Sequence, residues 1–345
     1  MPTPASSTPG RRRATLKDVA RAAGVSASTT SRALSGEGYV AAAVRDRVRR
    51  TAEQLGYVPH AMARGLRQQV SRSIGVVVSD LRSTFSADLA AGVAGRARAH
   101  GYTLLLVDRQ GSTEDEPAAV QGFVSTRAAG VVVTPSSSAV TDYLLNQQIP
   151  VVEVDRQVSP GRCDAVVVDN HHLARRLTEH LLALGHRRIA LLVDDTDVTA
   201  GTARTRGYAD ALTEAELPVD PALLAPVGRD VDGARQAAVR LLTQRERPTA
   251  LFAASDVLAE GLWRAVGDLG LRVPEDVSLV SFDDARWMSM VEPGMTAVAQ
   301  DGVALGSAAM DLLLARIACP DQDPRTVVLE AEFVPRGSTG APHPA

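Results

Sequence analysis

The 345-residue sequence predicts an all-α head joined to an α/β body of two lobes, each a doubly wound parallel sheet. Three observations predict it. Two short helical patterns flank Gly24 near the N-terminus. From Ser73 onward, short apolar runs alternate with helical segments, as buried parallel strands do when helices cover both faces of a sheet. The alternation then starts afresh at Ile189, so the body divides into two α/β units of similar size.

Thr15-Leu16-Lys17-Asp18 is a hydroxyl N-cap with a carboxylate three residues on, a helix start. Leu16, Val19, Ala20 and Ala23 recur at helical spacing and form a narrow apolar face. Gly24 follows where a left-handed turn residue is needed, Val25 anchors the turn, and Ser26 is a second N-cap. Ala27 to Leu34 make a second helix of small hydroxyls and one arginine, stopped by Ser35-Gly36. Two short helices about a Gly turn are the helix-turn-helix arrangement. The second one suits base edges and phosphates better than burial: Ala27 and Ser28 stand near its N-terminus, with Arg32 a turn later. An ordinary polar helix would read the same way at this level. A third helix carries Val44, Val48 and Leu55 inward, shows Arg45, Arg47, Arg49 and Arg50 to solvent, and ends at Gly56.

Charge separates the two parts. Residues 1–72 hold 13 Lys and Arg against 4 Asp and Glu, a net of +9, and the remainder carries a net of −12. A basic head on an acidic body fits a phosphate-binding module on a soluble carrier. Residues 57–72 are a short connector. Pro59 biases Val58 away from helix, and Ala61 to Arg67, interrupted by Gly65, is too short to be a stable helix alone.

The body follows in order. Ile74–Val78, Leu104–Val107, Val131–Val133 and Val151–Val154 are buried strands of the first lobe, with a helix through Ala87–His100. Ile189–Val193, Ala250–Ala253 and Val277–Val280 are strands of the second. Ligands of such sheets sit at the carboxyl ends of strands, here in the cleft between lobes. Asp155, Ser255 and Asp283 each lie at or just beyond such an end, and Asp256 could instead cap the next helix. A carboxylate beside a fixed guanidinium suits vicinal sugar hydroxyls, which both donate and accept.

Other chemistries lack their residues. Cys163 and Cys319 form no metal or disulfide pattern, and no Walker loop or nucleophile elbow is present. His180 and His186 have no cysteine partner, and Asp194-Asp195-Thr196-Asp197 is a weak cation motif. The first ten residues have no apolar core of a signal peptide, and no run is long enough to span a bilayer. The expectation is a cytoplasmic, nucleoid-associated protein with no cofactor, no metal and no membrane contact.

The run TLKDVARAAGVSASTTSRALSGEGYVAAAVRDRVRRTAEQLGYVPHAMARGLR resembles the head and hinge of the lactose/galactose repressor (LacI/GalR) family. Further matches are Asp169-Asn170, Gly185-His186-Arg187-Arg188-Ile189, SDVLAEGLWRAVGDLGLRVPEDVSLVSFDD, the stretch from Pro293 to Gln300, and Arg336-Gly337-Ser338-Thr339. The resemblance implies a two-lobed, periplasmic-binding-protein-like body and a non-enzymatic, DNA-binding transcriptional regulator. It implies a homodimer on a near-palindromic operator, most simply a repressor controlled by a small sugar-like effector. It also implies the domains: a disordered leader (1–14), the helix-turn-helix domain (15–58), the hinge (59–72), the effector domain (73–338) and a disordered tail (339–345). The chain would cross between lobes, with 73–167 and 300–325 in lobe one and 168–299 and 326–338 in lobe two.

The same resemblance assigns sites. Thr15, Ser26, Ala27, Ser28, Thr29, Ser31, Arg32 and Tyr57 would meet DNA. In the hinge, Ala63, Arg64 and Arg67 would flank Leu66, which matches a leucine that wedges into the minor groove. Phe85, Asp155, Arg204, Ser255 and Asp283 would meet the effector, with Arg204 matching the family's Arg-x-x-Gly. A structural Arg204–Asp283 ion pair is the plainer reading of those two. The sequence departs from the family at Ala41 and Ser281, where Ser and Gly are usual. It departs also at His60, where Asn is usual, and at Ser83-Thr84, where Asn-Pro is usual. Two other classes share parts of the pattern: a free solute-binding protein, and a sugar-acting α/β enzyme with Asp283 as base.

Overall fold

A computed structural model describes residues 14–35, 38–57, 71–110, 116–194 and 199–342. The chain divides into two compact units, residues 1–71 and 72–345. The expected leader, apart from Ala14, and the hinge positions Ala63, Arg64, Leu66 and Arg67 lie outside the described residues.

In the head, α1 (Leu16–Ala23), α2 (Ala27–Ser35) and α3 (Ala42–Gln54) surround a small core of Val19, Ala23, Ala33, Val40, Val48 and Ala52. Thr15 and Asp18 close a reciprocal capping box at the start of α1. Gly24 ends that helix at φ 66°, and its amide is bonded back to Ala20 and Arg21. Leu55, expected inside, is 42% exposed. It is the C-cap of α3, where the chain leaves the helix, and Ala52 one turn earlier fills the core instead. Ala41 is the N-cap of α3 and makes no side-chain cap bond.

The body contains two six-stranded sheets. The first runs β11 (Thr326–Leu329), β5 (Asp164–Val168), β4 (Val151–Val154), β3 (Gly130–Val133), β1 (Ser73–Val78), β2 (Thr103–Asp108). The second runs β12 (Glu332–Val334), β10 (Thr296–Ala299), β9 (Ser278–Phe282), β8 (Ala250–Ala253), β6 (Ile189–Asp194), β7 (Leu224–Val227). All pairings are parallel except β10 with β12. The central strands are almost wholly apolar and buried, because helices cover both faces.

On the first sheet, α4 (Thr84–Ala99) and α11 (Gly302–Ala318) cover one face, while α5 (Glu116–Ser125) and α6 (Ser138–Asn146) cover the other. On the second, α7 (Asn170–Ala183) and α8 (Thr199–Glu214) lie opposite α9 (Val231–Leu242) and α10 (Asp256–Asp268). The α4/α11 and α7/α8 pairs meet backbone to backbone: a Cβ at Gly306 would stand 2.1 Å from the Leu89 carbonyl oxygen, and one at Gly207 2.2 Å from that of His171.

The expected lobe division needs two corrections. Residues 326–338 do not all belong to the second lobe, since β11 pairs with β5 in the first sheet and only β12 joins the second. The C-terminal segment is also held beyond Ser338: His180 Nε2 is 2.9 Å from Thr339 Oγ1, and His186 Nε2 lies 2.9 Å from the Gly340 carbonyl. Burial keeps both imidazoles below the usual His range.

Candidate functional sites in the head and in the cleft

In the head, α2 divides by face. Thr30 and Ala33 are buried, while Ala27, Ser28 and Arg32 are exposed and Ser31 is half-buried. Ser26 Oγ accepts the Thr29 amide at 3.1 Å and lies 2.9 Å from both the Ser28 and Thr29 hydroxyls. The helix start is therefore a cluster of hydroxyls at the positive end of the helix dipole, which suits phosphate oxygens. Thr15 is exposed at the start of α1, with its hydroxyl turned to Asp18. Tyr57 differs from the others, because its ring packs partly against the head core.

The second site lies between the lobes. A cleft of about 340 Å³ is lined by Phe85, Asp155 and Arg156 from the first lobe. Val193, Asp194, Ala200, Gly201, Arg204, Arg229, Ala254 and Asp283 line it from the second. The space in it open to a water-sized sphere is only about 10 Å³, about the room for one water. Strand ends put the charges there: Asp155 follows β4, Asp194 ends β6, Arg229 follows β7 and Asp283 follows β9. Asp155 and Asp283 take left-handed φ of 68° and 74°. That backbone is strained for a non-glycine residue and marks positions where the surroundings impose the geometry.

Arg204 is held from three sides. Its Nε donates to Asn170 Oδ1 at 2.8 Å and its guanidinium donates to the Ala254 carbonyl at 2.5 Å. Its Cζ stands 3.7 Å from the centroid of the Phe282 ring. Its ion-pair partner is Asp155 across the cleft at 3.9 Å, not Asp283. Asp283 instead accepts from Gln300 Nε2 at 2.5 Å. Burial, resisted by Arg204, pushes the Asp283 carboxyl up to about 7.

Of the five residues expected at an effector site, Phe85, Asp155, Arg204 and Asp283 line the cleft and Ser255 does not. Ser255 is the N-cap of α10, its hydroxyl accepting the Leu258 amide. Its neighbour Asp256 reaches the other lobe, accepting from the Ser83 hydroxyl and the Thr84 amide. Sequence reasoning missed Arg156, Asp194 and Arg229. Arg229 and Asp194 had a usable signal in their place at strand ends, the rule already applied to Asp155 and Asp283. Among the described residues no group of three His, Cys, Asp or Glu could hold a metal ion. No helix among them is long and apolar enough to cross a membrane.

Residues 15–60 match the bacterial regulatory proteins of the lacI family, and residues 178–339 match the periplasmic binding protein-like domain. The ribose operon repressor of Haemophilus influenzae is 31% identical over 326 residues, which span 94% of this chain and 98% of the relative. The chain belongs to the LacI family. Among solved structures, the lac repressor dimer bound to operator and the anti-inducer ONPF aligns with a TM-score of 0.82. It is 28% identical and covers 96% of this chain and 100% of its own. A transcriptional regulator CelR–cellobiose complex aligns at 0.71 with 30% identity, covering 94% and 100%. As a LacI-family member the chain is a transcriptional regulator, with a helix-turn-helix head and a two-lobed α/β body. The relatives are repressors and regulators rather than enzymes.

Proposed function

We propose that this LacI-family regulator is a repressor that grips a near-palindromic operator as a homodimer and is released by a small, sugar-like effector held between its lobes. The observation that carries the effector reading is the cluster of Asp155, Arg204 and Asp283, three buried polar side chains from both lobes converging on one cleft. Carboxylates that accept and a guanidinium that donates match hydroxyls that do both. Phe85 is the single aromatic residue of the lining, which favours a compact polar ring over a large aromatic one. The relatives support the rest: one is a repressor of a ribose operon, one is a dimer on operator, and one holds cellobiose.

On DNA, Ala27 and Ser28 would face base edges in the major groove. Arg32 would reach a guanine or a phosphate, while Thr15, Ser26, Thr29, Ser31 and Tyr57 would fix the backbone register. Ala63, Arg64, Leu66 and Arg67 would complete the grip in the minor groove. An effector preferring one lobe arrangement shifts the population of the DNA-binding state. A bacterial cytoplasm is the setting such a role requires. The test is thermal stability against a panel of sugars, nucleobases and amino acids, for wild type and Asp283→Ala. A Tm rise with a sugar in wild type alone supports the reading. A rise only with a nucleobase or amino acid, turnover of any sugar, or failure to bind duplex DNA overturns it.

A further inference from the structure

Elsewhere in the body, buried and half-buried arginines donate hydrogen bonds from their guanidinium groups even where the Nε itself has none among the described residues, as at Arg109 and Arg188. Arg336 donates to both Asp284 oxygens at 2.7 and 2.6 Å, and Arg316 is clasped by Asp164 and nearby carbonyls. The two extra arginines of the cleft differ. Arg156 is 5% exposed, its Nε is buried without a partner, and it donates no hydrogen bond among the described residues. Its nearest carboxylate oxygen is that of Asp155 at 3.4 Å, and Asp155 is shared with Arg204. Arg229 resembles it: among the described residues its Nε is buried with no hydrogen-bond partner, and its ion-pair partner is Asp194 at 3.4 Å. Both separations exceed the ~2.7–2.9 Å of a charge-assisted hydrogen bond.

We infer that the effector carries an anionic oxygen group, a phosphate or a carboxylate, seated between Arg156 and Arg229 while its hydroxyls meet Arg204 and Asp283. This rests on reading the cleft as the effector site. Each guanidinium offers five N–H donors and accepts nothing. A hydroxyl brings a proton that needs its own acceptor, and Asp155, the nearest one to Arg156, is already divided between two arginines. A phosphate or carboxylate brings only acceptors in a fork that matches guanidinium. Against the pull of burial, the carboxylates around Arg229 hold its pKa up, but none stands at charge-assisted hydrogen-bond distance from either guanidinium. Burial, with Arg229 adding to it, pulls Arg156 down to about 10 even beside Asp155. Three acids face three arginines in the lining, and Asp283, titrating near neutrality, tips that balance toward positive.

The experiment is a set of thermal-shift titrations of the full chain at matched ionic strength. The probes are triose to heptose sugars, each as neutral, phosphorylated and acid forms, with inorganic phosphate alone alongside. Arg156→Gln and Arg229→Gln are run beside wild type after circular dichroism verifies their fold. The expected result is that a phosphorylated or acid form binds at least tenfold tighter than its neutral parent, with the preference lost in both variants. Phosphorylated over acid forms, or the reverse, identifies the group. Equal affinity for neutral and charged forms, or a preference unchanged by both variants, overturns the anion seat and leaves the sugar reading standing. Inorganic phosphate binding as tightly as any sugar phosphate keeps the seat and removes the sugar. No shift with any probe removes both.

Discussion

The Asp256 carboxylate accepts the Thr84 amide at 3.0 Å and so ties the first residue of α10 in one lobe to the first residue of α4 in the other. The Ser83 hydroxyl, at 3.1 Å from each carboxylate oxygen, adds to the same contact. Burial pushes the Asp256 carboxyl above its ordinary range. Asp256→Ala leaves the buried Ser83 hydroxyl and the half-buried Thr84 amide without their acceptor, at a cost of roughly 1–3 kcal/mol. The variant is expected to melt a few degrees lower and to scatter X-rays as a more open particle. Asp256→Asn, which keeps one carbonyl acceptor, is expected to recover most of the loss. An unchanged Tm in the alanine variant would remove the interlobe contact from any account of stability.

Asp283 makes a prediction with an unusual sign. Its carboxyl titrates at about 7 in the folded chain, above the ~3.9 of an unfolded aspartate. Between those values the folded state holds the extra proton, so this group's contribution to stability falls as pH rises from about 4 to about 7 and stays low above it. Most aspartates do the opposite. Asp283→Asn is expected to raise Tm at pH 8 and leave it unchanged at pH 4, and melting curves across that range check it. An equal effect at both pH values would contradict the shifted titration.

The head carries a correctable defect. Ala41 sits at the N-cap of α3 with no side-chain bond to the helix start. Ala41→Ser is expected to stabilise the head by about 1 kcal/mol. Slower hydrogen exchange at the first amides of α3 is the measurement, and unchanged exchange would count against it.

Two glycines one helix apart give opposite expectations. Gly306 on α11 lies against the Leu89 backbone, so a methyl group there forces the helices apart, costing roughly 1–3 kcal/mol. Gly95 on α4 has open space where a Cβ would stand, and Gly95→Ala is expected to gain roughly 0.5–1 kcal/mol. Denaturant melts of the two variants distinguish a close helix contact from a general intolerance of alanine.

The head was readable because its signals are local: a capping box, a turn glycine and a hydroxyl-rich second helix each declare themselves within four residues. Leu55 misled because helical periodicity continues on paper past the point where the chain departs. Four of the five expected cleft residues line the cleft. Asp155 and Asp283 come from the ends of buried strands, whereas Phe85 and Arg204 come from helices and are reached through the family resemblance. Ser255 and Asp256 exchanged roles because either can cap a helix, and one residue of offset decides which crosses to the other lobe. β11 and β12 lie in different sheets though two residues apart, and no pattern within TVVLEAEFV says so. That the buried Nε atoms of Arg156 and Arg229 have no hydrogen-bond partner among the described residues is a tertiary fact, which no pattern of neighbouring residues encodes.

The three crossings between lobes leave β5, β10 and β11, and they lie side by side. β11 neighbours β5 at the edge of one sheet, and β10 neighbours β12 at the edge of the other. Three adjacent straps act as the spine of a book: they resist twisting and sliding but allow the covers to part. The first lobe also draws its chain from two stretches separated by all but the last strand of the second. A frameshift anywhere before Leu329 therefore removes an edge strand from the first lobe as well as the end of the second. Only a break beyond that strand could spare one lobe while damaging its neighbour.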